Sequence, residues 1–391
     1  MIKFEEAYRI VMEHSFSTGT ESIPFTESAG RVLAASVKSD MNMPPWNRSA
    51  VDGYACRQAD LGTALKVLET IAAGAMPHKE VGPGTCSRIM TGAPMPDGAD
   101  FVFMLEESIE DENGMVKFTG KETKPNISRA AEDVRKGETI LSSGSFIRPQ
   151  DIAVMAMAGA TTVEAGCRVK VGVISTGNEL VEPAMNPSGA QIRNSNGCQL
   201  MAQVARAGAV GKYYGIATDD EASTALLLKK AVAENDMVLI SGGVSEGDFD
   251  FVPRVMASMG LTIHFDKVAV QPGKPLTFCT GDRKIVFGMP GNPVSSFVQF
   301  EVIVRPLTAK MMGVTAEEPM VLLFLGADWS RKRAERLAWI PVMLNKEGEA
   351  VPVEYHGSAH ITALSRAWGI IAIPQGQSWI QKGEPVSVRQ I

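Results

Sequence analysis

VKVGVIST, residues 169–176, is an almost unbroken apolar run with a single lysine near its start. Such a run suits a parallel strand buried on both faces, not the alternating strand of a half-exposed antiparallel sheet. The pattern that follows extends this reading. A helix is predicted over GCQLMAQVARAG (197–208), a strand over KYYGIA (212–217) and a helix over EASTALLLKKAVAEN (221–235). Next come a strand in DMVLISGG (236–243), a helix in DFVPRVMASMG (250–260), a strand in KIVFGMP (284–290) and a helix from near Pro293. Strands alternating with helices of this length imply a doubly wound sheet with right-handed crossovers, here placed over residues 168–312.

Moving outward from this block, the chain changes character on both sides. Residues 41–144 break into short β-like runs between glycines and prolines (LKVLETIAAGA, TCSRIMTGA, ADFVFMLEE, GMVKFTG), as in a small β-barrel or sandwich. Helical patterning flanks them. Phe4, Ala7, Ile10, Val11 and His14 recur at helical spacing, a second helical stretch is expected at Ser28 to Ala35, and a third runs from Pro149 to Ala158, stopping at Gly159. The β segment therefore reads as an insertion into a helical domain made of residues 1–40 and 145–167. Beyond the α/β block, MVLLFLGA, LAWIPVML, GIIAIP and PVSVRQI read as a small β domain over residues 313–391.

Composition narrows the function. A chain of 391 residues is too long for one ordinary core, so two to four domains are expected. The formal net charge of -6, with no basic stripe, argues against a nucleic-acid binder. No apolar run approaches the roughly 20 residues of a membrane span, and the acidic start MIKFEEAYRIVMEHSF is unlike a signal peptide. The five cysteines are scattered without a C-x-x-C, and the five histidines form no H-x-x-x-H, so neither a disulfide scaffold nor a structural zinc site is expected. The expected compartment is the cytoplasm, where the sequons at Asn47 and Asn126 are chance matches.

In an open α/β sheet, ligands bind beyond the C-terminal ends of the strands. Here those ends deliver polar, glycine-rich loops. Gly177, Asn178 and Glu179 follow the first strand, and Thr218, Asp219 and Asp220 follow the second. The third is followed by the loop Ser241, Gly242, Gly243, Val244, Ser245, Glu246, Gly247, Asp248, Phe249 and Asp250, and the KIVFG strand by Pro290, Gly291, Asn292, Pro293 and Ser295. Glycine turns leading into helices let backbone amides approach an oxyanion, which suits a phosphate or pyrophosphate. Glu179, Asp219 and Asp250 on the same rim point to a hard divalent cation, Mg²⁺, beside that phosphate. Lys267 and Lys274 in HFDKVAVQPGKPLTF supply cations for the remaining anionic charge. Singly, each feature has a plainer reading: a Gly-Gly pair is often only a turn, Asp220 fits a helix N-cap, and Lys267 a surface charge. Four such loops on one rim carry more weight than any one.

At these residues the chain resembles a known family. SGGVSEGDFDF, VAVQPGKPLTF and GMPGNPVSS resemble three signatures of the molybdopterin molybdenumtransferases, which include the E domain of gephyrin. PPWNRSAVDGYA (44–55) and RIMTGAPMP (88–96) resemble two more, and all five stand in the family's order. The resemblance implies a four-domain elongated protein: a helical N-terminal domain, an inserted β domain, a doubly wound molybdopterin-binding domain and a C-terminal β-barrel-like domain. It implies the last step of molybdenum-cofactor synthesis, in which molybdate and adenylyl-molybdopterin are bound, molybdenum passes to the dithiolene sulfurs and AMP is released. Because those thiolates hold the metal, no protein Cys or His ligand is required.

By position, the resemblance makes Asp52, Thr91, Glu179, Asp219, Asp250, Lys267 and Lys274 the catalytic set, with Glu179, Asp219 and Asp250 the candidates for Mg²⁺. Gly242, Gly243, Ser245, Gly247, Pro290, Gly291, Asn292, Pro293, Ser295 and Ser358 become the candidates for binding the pterin nucleotide. Asp133 matches a further acidic position near the cleft. The resemblance also implies a homodimer in which Asp52 and Thr91 complete the other subunit's site, and the molybdopterin adenylyltransferase as a possible partner. Two departures stand out. Gln271 replaces a lysine found in some members, and RKRAERLAWIPVML offers Arg333 and Arg336 without a clean counterpart of the family's strand arginine. Tungstate insertion, adenylyl transfer on the same fold and a gephyrin-like scaffold are the alternatives. The absence of a Walker-type G-x-x-x-x-G-K disfavours a generic phosphotransferase.

Overall fold

The run at 169–176 lies at the centre of the molecule. The computed structural model describes residues 1–121, 124–243, 251–315, 319–354 and 357–391. In it strand β1 (Lys170–Thr176) is buried at every position but its first. It lies between β2 (Val210–Ala217) and β3 (Met237–Ser241), parallel to both. Strands β4 (Thr262–Lys267), β5 (Pro275–Gly281) and β6 (Lys284–Met289) complete a six-stranded sheet in the order β2-β1-β3-β6-β5-β4. The pair β3 and β6 is parallel, whereas β5 runs antiparallel to β6 and β4 antiparallel to β5. The sequence reading assigns no strand to β4 or β5. Their place in the sheet comes from antiparallel pairing, β5 with β6 and β4 with β5, and not from a periodicity of their own.

Helices cover both faces, as the buried-strand pattern requires. On one face Val171, Val173, Leu239 and Phe287 pack with Leu200 and Val204 of α3 (Ser195–Arg206). Val298 of α6 (Pro293–Gln299) and Leu307 of α7 (Arg305–Met311) join them, α6 and α7 being linked by a π-helical turn at Phe300–Val304. On the other face Ile174, Val238, Ile240 and Val286 meet Leu228 of α4 (Glu221–Glu234) and Val252, Val255 and Met256 of α5 (Val252–Ser258). Burying one such aliphatic side chain contributes about 2 kcal/mol, so two covered faces hold the sheet firmly. Asn194 and Asp220 cap α3 and α4 by accepting from the Gly197 and Ser223 amides. The amphipathic N-terminal helix α1 (Phe4–Glu13) buries Ala7 and Val11 in this same core, and the Ile2 amide donates to the Lys267 carbonyl at 3.1 Å.

Before β1, the strands Thr20–Pro24 and Thr162–Gly166 pair antiparallel beside α2 (Pro149–Met157), around Ile23, Leu33, Met155 and Val163. The helix expected at Ser28 to Ala35 is absent. A 3₁₀ turn occupies Phe25–Glu27, Gly30 takes a positive φ of 75°, and Val32 and Leu33 bridge to Phe146 and Ala165. Backbone pairing with those strands satisfies the amide groups that a helix would otherwise have bonded internally. The inserted region forms one six-stranded sheet, running Phe101–Met104, Gly53–Cys56, Thr85–Ile89, Leu65–Ile71, Met115–Phe118 and Ser108–Glu110.

The C-terminal strands Leu337–Leu344, Gly369–Ile373, Pro385–Gln390 and Val321–Phe324 form an antiparallel sheet. Ala350–Pro352 pairs with Leu337–Leu344, and Ala350 also bridges Leu325, so the two flanks of the sheet meet as in a barrel. One more pairing positions the site. Val270 and Gln271, between β4 and β5, pair in parallel with Leu337 and Ala338 and so fasten the C-terminal sheet to the α/β region. Among the described residues, no helix is long and apolar enough to cross a membrane.

Candidate active site

The loops leaving β1, β2, β3 and β6 converge on a cleft of about 620 Å³. Its lining includes Thr176, Gly177, Glu179, Asn196, Asp219, Ser241, Gly242, Gly243, Pro290, Gly291, Asn292, Pro293 and Ser295. Two of its glycines are required by geometry. At Gly177 the φ of +148° disfavours a side chain, and a Cβ would stand 2.7 Å from the carboxylate end of Glu179; at Gly242, φ +101°, it would stand 2.6 Å from the backbone carbonyl oxygen of Thr176. No larger residue lets these loops approach so closely.

Glu179 and Asp219 both reach this cleft, as the rim argument predicts. The Asn178 amide donates to Asp219 Oδ2 at 2.9 Å, and the Asp219 amide donates to Asn178 Oδ1 at 3.1 Å, so the loops after β1 and β2 are cross-braced. Asp220 points elsewhere. It accepts from the Ser223 amide, which, with the Thr218 hydroxyl, holds its carboxyl below the usual range; it is the predicted N-cap. Ser245, Gly247 and Asp250 lie outside the described residues.

A second cavity of about 340 Å³ adjoins the first, sharing Pro275, Asn292 and Ser295 with it. Gln271, Gly273, Lys274, Arg336 and Ser358 contribute the rest of its polar lining. The C-terminal domain closes this end. Asn292 Nδ2 donates to Ser358 Oγ at 2.9 Å, and the Val294 amide donates to the Ser358 carbonyl at 3.0 Å. Arg336 Nη1 donates to the Val270 carbonyl at 3.2 Å, a consequence of the pairing between Val270–Gln271 and the Leu337 strand. Sequence reading left the arginine unassigned between Arg333 and Arg336, and the structure puts Arg336 in the cavity. It also puts Gln271 there, so the departure from lysine falls inside the site. The missed polar positions are Arg193, Asn194 and Asn196, which line the first cavity; the cluster Asn194, Ser195, Asn196, Gly197 at a helix start was the available signal.

The remaining predicted residues line neither of these two cavities. Lys267 is half-buried at the end of β4 and is not among the residues lining either cavity. Asp52 and Thr91 are exposed on the inserted domain, where the Thr91 amide and hydroxyl both donate to Asp52 Oδ1, at 2.6 and 2.7 Å. Those two bonds, with a lesser pull from Arg88, hold the Asp52 carboxyl below its usual range, so it stays ionised. Asp133 is exposed on the same domain, its amide bonded to the Met43 carbonyl, and lines neither cavity. Among the described residues, no three His, Cys, Asp or Glu side chains cluster closely enough to hold a metal unaided. Glu179 and Asp219 nevertheless fit Mg²⁺, which prefers a few hard carboxylate oxygens and completes its shell with water and substrate phosphate.

Comparison with known proteins agrees with this architecture. A family model described as the MoeA N-terminal region (domain I and II) matches residues 2–159. One described as a probable molybdopterin binding domain matches residues 172–310, and the MoeA C-terminal region (domain IV) matches residues 325–391. A molybdopterin molybdenumtransferase of Staphylococcus epidermidis is 33% identical over 397 residues, covering 99% of this chain and 95% of its own. The protein of that name from Bacillus subtilis is 33% identical over 401 residues, covering 99% and 93%. The crystal structure of a molybdopterin biosynthesis moeA protein from Pyrococcus horikoshii OT3 superposes with a TM-score of 0.85 at 30% identity, covering all of both chains.

Proposed function

Since the chain belongs to the molybdopterin molybdenumtransferase family, we propose that its two joined cavities divide the reaction between them. The enzyme acts in molybdenum-cofactor biosynthesis and inserts molybdenum into molybdopterin. In this reading the larger cavity takes the adenylylated phosphates of the pterin nucleotide, and the smaller takes molybdate. The observation that carries it is the junction: Pro275, Asn292 and Ser295 belong to both walls, so an oxyanion beside Lys274 and Arg336 adjoins a nucleotide held at Gly242 and Gly291.

The roles then divide by chemistry. Backbone at Gly242, Gly243 and Gly291 approaches the phosphoanhydride closely, and a pre-set loop costs no reorganisation as charge develops there. Lys274 and Arg336 offset the double charge of the oxyanion, with Ser295, Ser358 and Gln271 positioned to donate hydrogen bonds. Glu179 and Asp219 are the described residues that would hold Mg²⁺, which neutralises phosphate charge when bound. The two dithiolene thiols of the substrate displace one oxo ligand of molybdate, which leaves as water, and a water molecule opens the phosphoanhydride to give AMP and the pterin phosphate. Tungstate has the same charge and shape, so the same groups would accept it.

Asp52 and Thr91 favour a homodimer. Their bonded pair is exposed and ordered yet outside both cavities of its own chain, as expected of a group offered to a second subunit. A cytoplasmic setting agrees with five cysteines that are all free thiols. The deciding assay supplies the purified chain with adenylyl-molybdopterin, Mg²⁺ and molybdate, and follows AMP release together with activation of a molybdenum-requiring apoenzyme. Both signals should appear and depend on molybdate. AMP release without active cofactor would refute the division between the cavities.

A further inference from the structure

Asn196 has no part in the reaction as set out above, yet it joins the two loops on which nucleotide binding depends. It stands in the first turn of α3 and is 7% exposed. Its Nδ2 donates to Ser241 Oγ at 2.7 Å and to the Gly291 carbonyl at 2.8 Å. Ser241 ends β3 immediately before Gly242, while Gly291 belongs to the loop that leaves β6. The ladder between these strands ends with Ser241 opposite Met289, followed by one bond from the Gly242 amide to the Met289 carbonyl at 3.1 Å. Past that point Ser241 Oγ reaches the Pro290 carbonyl only at 3.5 Å, and the two acceptors of Asn196 carry the tie onward.

The donor is rigidly held. Asn194 caps α3, accepts from Ser175 Oγ at 3.1 Å and donates to the Tyr213 hydroxyl at 2.8 Å, while Leu200 and Val204 anchor the helix in the core. The orientation of the Asn196 amide is fixed too, because turning it over would set Oδ1 against the Gly291 carbonyl. As it stands, Oδ1 is buried without a hydrogen-bond partner. An unsatisfied buried acceptor is unfavourable, and asparagine at this position accepts it in exchange for two well-placed donors.

We propose that Asn196 is a positioning residue for the nucleotide: it sets the spacing of the β3 and β6 loops, and so acts on the phosphates through Gly242 and Gly291. The inference rests on the assignment of the larger cavity to the pterin nucleotide. Asn196→Asp keeps the shape and removes the donor but adds a negative charge, so Asn196→Ser, neutral and too short for both acceptors, is measured beside it and must show the same loss. The Asn196→Asp dissociation constant for AMP, by calorimetry, and its KM for adenylyl-molybdopterin should rise roughly tenfold, with kcat changed far less, as for lost binding that is shared by ground and transition states. Leu200→Ala is the matched control, because it loosens the same helix from its core side. It should lower the melting temperature and leave the AMP constant unchanged. A folded Asn196→Asp with wild-type constants overturns the proposal, and so does an equal rise in Leu200→Ala. If Asn196→Asp fails to fold, Asn196→Ser alone carries the same expectation and the same refutation. A wild-type chain that neither binds AMP nor releases it overturns the function reading itself, whereas a defect or its absence confined to the variants bears on Asn196 alone.

Discussion

The two joined cavities are neighbours built by different means. The larger is shaped mostly by backbone and small side chains at the ends of parallel strands, with Gly177 and Gly242 at points where a Cβ would collide. The smaller is shaped by side-chain charge, Lys274 from the segment before β5 and Arg336 from the C-terminal domain, brought together by a two-residue strand pairing. A cavity walled largely by close-packed backbone is intolerant of added atoms. A cavity lined by side-chain charge tolerates changes of shape and responds to each cation. The comparison predicts the stronger steric sensitivity in the larger cavity and the stronger response to an added or removed cation in the smaller.

The harshest way to probe it is Gly242→Ala. The new Cβ meets the Thr176 carbonyl at 2.6 Å in a backbone conformation that disfavours side chains, so the loop must shift. Turnover should fall about a hundredfold, because displaced amides no longer match the developing charge, while circular dichroism stays native. Near-normal turnover would show that the glycine loop is only a tight turn.

Next in size is a test of whether the larger cavity is complete within one chain. Asp52→Ala and Asp219→Ala should each be nearly inactive alone. Mixed together, they should recover up to about a quarter of wild-type activity through randomly paired dimers that carry one intact site. If heterodimers verified by mass spectrometry show no recovery, the Asp52–Thr91 pair serves its own chain or its fold.

Arg336→Ala addresses the other end. Loss of a charge-assisted contact should raise the apparent molybdate constant about tenfold and leave the AMP constant near wild type. Should both constants rise together, the two cavities act as one, and the contrast between them fails. The smallest effect is expected from Gln271→Lys, which adds a cation to the same cavity. In a partly screened site this is worth about 1 kcal/mol, a several-fold gain in molybdate affinity at low salt that shrinks as salt rises. Equal constants at both ionic strengths would place the Gln271 side chain away from the oxyanion.

The same contrast governs what could be read in advance. Residues 169–176 announce a buried parallel strand because continuous apolarity has few other uses, and the loops after β1, β2, β3 and β6 announce a phosphate rim through local glycine and acid patterns. Glu179, Asp219, Gly242 and the Pro290–Ser295 turn accordingly line the cleft as expected, because each strand end carries its loop with it. Asp220 was legible as a cap for the same local reason.

Local pattern misled or fell silent where pairing across the chain decides. The Ser28–Ala35 stretch has helical character, yet its backbone bonds to strands more than a hundred residues away. Strands β4 and β5 leave little trace because their place is set by pairing, β5 on β6 and β4 on β5. Lys267 and Lys274 look equivalent in HFDKVAVQPGKPLTF, but of the two only Lys274 lines either of the joined cavities, Lys267 standing at the end of β4. The amino-acid sequence alone thus determined the doubly wound core, the loops that line its cleft and the family, all legible from patterns within a strand and its own loop. The tertiary structure decided that Arg336 and Gln271 share a cavity with Lys274, and that Asn196 ties two loops at once. Those contacts join segments 45 to 95 residues apart, and side-chain direction and backbone pairing over that range leave no periodic mark on the sequence.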